Sequence, residues 1–334
     1  HGFFIGACAD NIKDLQESVG GPGERINTPG ICGIKIFMGS STGDLLVDDE
    51  KVLERIFSET AGLIAVHAED EDRLVQRFKL MKGRTDMAAH AEWRDSETAL
   101  IATKLAVSMA QKYGRRLHVL HLSSALEADW LKGKTNLSIS EDGTWITTET
   151  LPQYLTFDQH DIDVLGTRLK MNPPIRNDED KDVLWRRIHD GTIQCIATDH
   201  APHSLAAKSK GWPEAPSGMP GVETSLPLML NEVSNNKITF EQVVKWMCEN
   251  PAKIYNVKNK GFLKIGYDAD IAIVDMKLEK ILSGSKMQSK CGWTAFEGQK
   301  IKGSPIITIV NGNIVYKDGK IIDDFKGRPV NFNE

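Results

Sequence analysis

Residues 195–203 read CIATDHAPH, and this stretch decides the fold that we predict. Its first half is a short run of small and apolar residues, which is typical of a buried strand. The run ends in a carboxylate and an imidazole, Asp199 and His200, and a second imidazole follows at His203. We predict that these side chains lie at the mouth of a barrel and face a metal ion, because barrel active sites form at the carboxyl ends of the strands.

Apolar strands alternate with helical patterns along most of the chain, and this indicates parallel strands joined by crossover helices. The predicted strands cover residues 2–7, 30–38, 63–67, 117–122, 168–172 and 192–198. Beyond about residue 260 the pattern becomes one of β-strands with Asn-Gly and Asp-Gly turns. We therefore expect a (β/α) barrel domain over residues 1–258 and a small β module over residues 259–334.

The composition argues against several classes of protein. The chain has 334 residues, 40% hydrophobic and 26% charged, with a formal net charge of −5, which is ordinary for a globular protein and unlike a nucleic-acid binder. No stretch approaches the roughly 18 apolar residues of a membrane span. Five widely spaced cysteines suit free thiols in a reducing cytoplasm. Neither a GxGxxG nor a GxxxxGK[ST] motif occurs, so a nucleotide-binding prediction loses support.

Four chemically active side chains fall at or near the carboxyl ends of four predicted strands: Lys35, His67, His121 and Asp199. Each alone has a structural alternative, such as a solvent-facing lysine, a core histidine or a helix-capping aspartate. Four together at one end of a barrel favour a metal site. Histidine and carboxylate ligands suit zinc.

Lys35 and the histidine pair need separate arguments. The strand around Lys35 is apolar on both faces, so we expect an inward lysine that loses its proton readily. A neutral amine can add carbon dioxide to give a carbamate, which can bridge two metal ions. His118 and His121 are three residues apart, and strand side chains alternate between faces. We assign His121 to the barrel interior and expect His118 to pack against the helix layer.

Longer stretches together resemble the amidohydrolase superfamily, and within it type I dihydroorotase. They read GIKIFMGSSTG, VHAED, HVLHLSS, ETLPQYL, KMNPPIR, ATDHAPH and SGMPGVETSLPLML. The resemblance covers essentially the whole chain and implies an α/β fold, a TIM-type (β/α)8 metal-dependent hydrolase barrel with a small β-sandwich module. It also implies reversible cyclisation of N-carbamoyl-L-aspartate to L-dihydroorotate in pyrimidine synthesis. A homodimer is a further expectation from the family.

By position, the resemblance assigns a role to each candidate metal ligand. Lys35 would be a carboxylated lysine that bridges two zinc ions. His67 and His121 would bind the more buried ion. Asp199 would bind the other ion and move the proton during catalysis.

The resemblance also implies substrate contacts at Asn172, His203 and Gly221. The first two would contact the pyrimidine ring, and Gly221 would offer backbone groups to the same ligand. Two alternatives stay open: another cyclic amidohydrolase, such as a hydantoinase or an allantoinase, and a non-catalytic dihydroorotase-like subunit. The residues after TDH argue against the first, and the retained ligands argue against the second.

The sequence departs from the family pattern at its start. The family begins with an HxH pair on its first strand, and this chain contains no HxH. Its first predicted strand matches the family's third. We therefore expect that an upstream segment is absent, that a complete site would hold two zinc ions, and that this chain alone binds one or none and is inactive.

Overall fold

A parallel sheet of six strands, arranged in chain order, forms the centre of the fold. The computed structural model describes residues 1–24, 28–41, 45–141, 143–322 and 325–332. The strands are β1 Phe3–Gly6, β2 Ile31–Phe37, β3 Ile64–His67, β4 Arg116–Val119, β5 Trp145–Thr150 and β6 Cys195–Ile196. Every neighbouring pair is parallel, as the strand–helix alternation predicts.

Helices connect these strands and cover the sheet. They are α1 Ile12–Val19, α2 Glu50–Glu59, α3 Glu71–Leu80, α4 Ala88–Trp93, α5 Ser96–Lys112, α6 Ala125–Leu131, α7 Pro152–Thr156, α8 Gln159–Leu165, α9 Asp178–His189, α10 Leu205–Lys208, α11 Ser225–Ser234, α12 Phe240–Val244 and α13 Asn250–Ile254, with 3-10 helices at Gly166–Leu169 and Gly284–Lys286 and a π-helix at Lys245–Glu249. Several begin at a side-chain cap: Asp95 accepts from the Thr98 N–H, which satisfies a free donor of the first turn. Within the described ranges, no helix is both long enough and apolar enough to cross a membrane.

One predicted strand is wrong, and the true fifth strand lies elsewhere. Residues 168–172 hold the end of a 3-10 helix and a loop, whereas β5 reads WITTET and is buried throughout. The Thr148 and Thr150 hydroxyls donate to backbone carbonyl oxygens of the β4 segment, each at 2.8 Å. These hydrogen bonds allow β5 to be buried although its side chains are mostly polar. Its sequence therefore contains no apolar run, and a search for hydrophobic patterns misses the strand.

The C-terminal part forms an antiparallel sheet in the order β10-β9-β8-β7. These strands are β7 Ile271–Ile281, β8 Lys300–Val310, β9 Asn313–Lys317 and β10 Lys320–Ile321. The turns at Asn311-Gly312 and Asp318-Gly319 have positive φ at both residues, 48° and 80° and then 47° and 85°. This is the type I′ geometry that the Asn-Gly and Asp-Gly pairs predict.

The main hydrophobic core extends beyond the barrel strands into the segment between β7 and β8. Leu282, Trp293 and Phe296 belong to the same buried cluster as the strands of the parallel sheet. Phe296 stacks on Phe157 with ring centroids 4.7 Å apart. The segment is therefore packed as part of the main core, and a domain division at residue 258 stays a prediction.

Candidate metal centre and substrate cavity

The register of the parallel strands determines which side chains share a face of the sheet. Lys35 on β2 is aligned with Ala65 on β3. Ala65 is aligned with His118 on β4, and His118 with Thr147 on β5. Aligned neighbours point to the same side, and so do residues two apart in one strand. His67, two residues after Ala65, therefore lies on the face that carries Lys35.

The prediction that His118 packs against the helix layer is wrong. Its imidazole is buried on the Lys35 face, with Nδ1 2.8 Å from Thr147 Oγ1 and Nε2 3.1 Å from Glu149 Oε2. The alternation of strand side chains fails because β4 ends two residues before His121. His121 then has a φ of 41°, which turns the backbone. Both histidines of HVLH consequently reach the same face.

His67 and His121 form a close pair of imidazoles. His67 Nδ1 lies 3.1 Å from His121 Nε2, and the rings meet edge to face at 71°. His67 Nε2 lies 2.8 Å from Glu69 Oε2. Burial acts to raise the pKa of Glu69, but the Arg94 guanidinium and the His67 ring lower this pKa to about 2. An ionised carboxylate can only accept, so Nε2 carries the His67 proton and Nδ1 presents its lone pair to His121.

These two nitrogens fit a divalent metal ion. Burial lowers the pKa of both His67 and His121, which favours the neutral, metal-binding form of the ring. Two nitrogens on a tetrahedral zinc, each at 2.0–2.1 Å, are roughly 3.3 Å apart, close to the 3.1 Å between these atoms. His121 Nδ1, the ring nitrogen that does not face His67, is buried and has no hydrogen-bond partner in the described part of the chain.

A cavity of about 140 Å³ opens over this pair. It is lined by Lys35, Phe37, Ser41, His67, His121, Asn172, Asp199, Ala201, Ser217 and Gly218. Burial lowers the pKa of Lys35 to about 8, against the attraction of Asp199 and Glu149. Burial raises the pKa of Asp199 to about 6, against the pull of Lys35. The fold thus brings all four candidate ligands to one cavity, while their binding of metal stays a prediction.

Of the three candidate substrate residues, only Asn172 lines this cavity. His203 contacts a residue of the cavity lining: its Nε2 is 3.0 Å from the Ser217 carbonyl oxygen. The Gly221 N–H donates to His200 Nδ1 at 3.1 Å. A Cβ at Gly221 would lie 2.8 Å from the Thr198 carbonyl oxygen, so close packing requires glycine there. Contact of His203 and Gly221 with a ligand stays a prediction.

Comparison with known proteins places the chain in a family. A profile described as "Amidohydrolase family" matches residues 63–315. The chain belongs to the amidohydrolase family. A dihydroorotase of Halobacterium salinarum is 35% identical over 299 residues, which cover 89% of this chain and 67% of that protein. An allantoinase of Streptomyces avermitilis is 32% identical over 332 residues, which cover 98% of this chain and 71% of that protein.

Solved structures of cyclic amidohydrolases share the fold. An L-hydantoinase (dihydropyrimidinase) from Arthrobacter aurescens superposes with a TM-score of 0.80 at 30% identity, over 87% of this chain and 66% of that one. The chain spans about two thirds of the length of the curated relatives that it matches. These matches confirm the predicted α/β amidohydrolase fold. They support a hydrolase of cyclic amides and do not separate the substrates within that group.

Two acidic residues of this amidohydrolase, Glu69 and Glu149, contact its candidate ligands. Glu69, one of the acids of VHAED, orients His67 through Nε2. Glu149 Oε1 accepts from the backbone N–H of His121 at 3.4 Å. Glu149 is the first residue of the ETLPQYL stretch, which was used for the resemblance and was not given a role at the site. Ligand atoms of His118, Glu149 and Cys195 also lie within 4.8 Å of one another. His118 contacts Glu149 Oε2 within this group and Thr147 Oγ1 outside it, on the face that carries Lys35.

Proposed function

We propose that this amidohydrolase hydrolyses and forms a cyclic amide, and that its substrate pair is L-dihydroorotate and N-carbamoyl-L-aspartate. The observation that carries the proposal is the convergence of His67 Nδ1 and His121 Nε2, 3.1 Å apart, on a cavity that also holds Lys35, Asp199 and Asn172. Zinc is the proposed metal, because neutral imidazoles and carboxylates are ligands that it prefers.

Lys35 and Asp199 have distinct tasks in this proposal. Bound metal ions would supply a nucleophile from water at neutral pH and polarise the amide carbonyl. Lys35, as the neutral amine, would add carbon dioxide and release a proton to solvent, which gives a carbamate that serves as a carboxylate-like ligand. Asp199 takes a proton from the attacking water and gives it to the ring nitrogen as the C–N bond breaks. In cyclisation, Asp199 moves the proton in the opposite direction.

The choice of dihydroorotate rests on the sequence. The stretches TDHAPH and PGVETSLPLML are the most specific part of the resemblance to type I dihydroorotase. Curated dihydroorotases at 34–35% identity support it. The allantoinase match covers 98% of this chain, so allantoin and hydantoin are the competing substrates. A non-catalytic subunit is the third possibility that an experiment must separate.

A binding and turnover panel tests the proposal. The zinc-loaded chain would be titrated with L-dihydroorotate, hydantoin and allantoin by calorimetry, and ring opening would be followed in parallel. We expect the tightest binding for dihydroorotate, with turnover, where present, lost in D199N. Binding is the deciding readout, because the sequence predicts that this chain alone is inactive. Preference for hydantoin or allantoin would overturn the substrate, and binding of none would favour the non-catalytic subunit.

A further inference from the structure

His90 lies behind the substrate cavity and has no task in the mechanism above. It is on α4 and is 2% exposed. Its Nε2 lies 3.0 Å from the Met171 carbonyl oxygen and 3.1 Å from Asn172 Oδ1. On the other side of the ring, Trp212 Nε1 lies 3.4 Å from Nδ1. A buried imidazole with partners on both nitrogens is held in one orientation.

These partners determine the tautomer of His90. An indole N–H only donates, so Nδ1 must accept from Trp212. A backbone carbonyl only accepts, so Nε2 must carry the hydrogen that faces Met171. Both partners demand the same tautomer, and Met171 decides it, because its contact is 3.0 Å long whereas the Trp212 contact at 3.4 Å is weak. Burial, with the Arg94 charge, lowers the pKa of His90 to about 3, so the ring is neutral at physiological pH and Nδ1 stays free to accept.

The tautomer of His90 in turn orients the Asn172 amide. Because His90 Nε2–H is a donor, the Asn172 atom beside it is the carbonyl oxygen. The amide nitrogen is left to face Ser41 Oγ at 3.4 Å, and both of these residues line the cavity. A contact of that length is a weak hydrogen bond, so a ligand can replace it at little cost.

We propose that His90 is a positioning residue that sets the hydrogen-bond polarity of the cavity. Its Nε2–H holds the Asn172 oxygen away from the ligand, so that the amide NH2 is presented to the ligand. The subsite at Asn172 therefore takes an acceptor, such as a ring carbonyl or a carboxylate oxygen, and disfavours a ring N–H. This inference deepens the proposed function and rests on it in one respect, that Asn172 faces the bound substrate.

The structural half of the proposal is tested without any ligand. Nitrogen-15 spectra of the imidazoles distinguish the two neutral tautomers and the cation, and H90Q identifies the His90 signals by their loss. We expect the Nε2–H tautomer, unchanged between pH 6 and pH 8. An Nδ1–H tautomer, or a cationic ring at pH 7, would overturn the proposal.

The functional half is tested with L-dihydroorotate as the probe in calorimetric titrations of the zinc-loaded chain. N172A should weaken binding about tenfold, the effect of one lost hydrogen bond. N172D should weaken it more than N172A, because a carboxylate presents an acceptor in place of the donor. Equal binding of dihydroorotate to N172D and the wild type would contradict the assigned polarity.

A double-mutant cycle separates positioning from general loss of structure. We expect H90L to weaken binding about tenfold in the Asn172 background and less than about twofold in the N172A background, because His90 acts through Asn172. H90Q, which can still donate to the Asn172 oxygen, should stay within about threefold of the wild type. The exposed control H160Q, whose side chain is 75% accessible, should bind normally. Equal loss from H90L in both backgrounds would mean a merely structural role.

Failure of this inference is distinguishable from failure of the proposed function. If the wild type binds neither dihydroorotate nor the other cyclic amides, the function and the ligand half of the inference both fall, while the nitrogen-15 spectra still decide the tautomer. If the wild type binds dihydroorotate and H90L changes nothing, only the inference about His90 is wrong.

Discussion

Glu69 decides which nitrogen of His67 faces the cavity. Its carboxylate is completely buried and lies between the His67 ring and the Arg94 guanidinium. A carboxylate that receives the far N–H of a metal-binding histidine fixes the tautomer and the orientation of that ring. Arg94 and Glu69 are 25 positions apart in the sequence. Nothing in the sequence pattern predicts that these two residues form an ion pair.

Replacing Glu69 should weaken both the metal centre and the fold. In E69Q the His67 tautomer is no longer fixed, so we expect zinc affinity to fall 10–100-fold, measured by competition with a chelator. Arg94 is left buried without its counter-ion, so the free energy of unfolding should fall by about 3 kcal/mol. D95N is the matched control, because Asp95 also pairs with an arginine, Arg73. Equal zinc affinity in E69Q and D95N would contradict the orienting role.

Whole strands and helices show where sequence reasoning succeeds and where it fails. β2 and β3 were found from their apolar runs, because burial on both faces leaves a continuous hydrophobic signal. β5 was missed because its buried residues are mostly polar threonines, whose hydroxyls donate hydrogen bonds to backbone carbonyl oxygens of the neighbouring segment. The face predicted for His118 was wrong because side chains alternate between faces only inside a strand. The backbone turn at His121 lies beyond the end of β4. A positive φ at a single histidine, unlike one in an Asn-Gly or Asp-Gly turn, has no sequence signal specific enough to predict it.

Helix α6 carries a buried acid that makes stability depend on pH. Burial raises the pKa of Glu127 from 4.5 to about 7, against the Thr103 hydrogen bond. Between these values the folded state keeps a proton that the unfolded state releases, so stability falls as pH rises. A shift of this size corresponds to a change of order 3 kcal/mol.

The variant E127Q should remove that dependence. Relative to wild type, we expect its free energy of unfolding to rise by about 3 kcal/mol from pH 4.5 to pH 8, in urea titrations at several pH values. E179Q, at an exposed position of α9, should follow the wild type throughout. A wild type–E127Q difference that is the same at both pH values would show that Glu127 titrates normally.

At the scale of the whole molecule, parallel topology gathers residues that are distant in the chain. The carboxyl ends of β2, β3, β4 and β6 bring Lys35, His67, His121 and Asp199 to one cavity, and this much follows from strand ends alone. The groups that orient them could not be predicted in the same way. His90 and Asn172, for example, are 82 positions apart, and only the packing of α4 against the loop after Leu169 brings them together.

The zinc content of the purified chain tests the central claim most directly. After saturation with zinc and removal of excess ions, elemental mass spectrometry should find roughly one tightly held ion per chain. H67A and H121A should each lose it, and H160Q should retain it. No bound zinc in the wild type, or the same zinc content in all four proteins, would contradict a metal centre at His67 and His121.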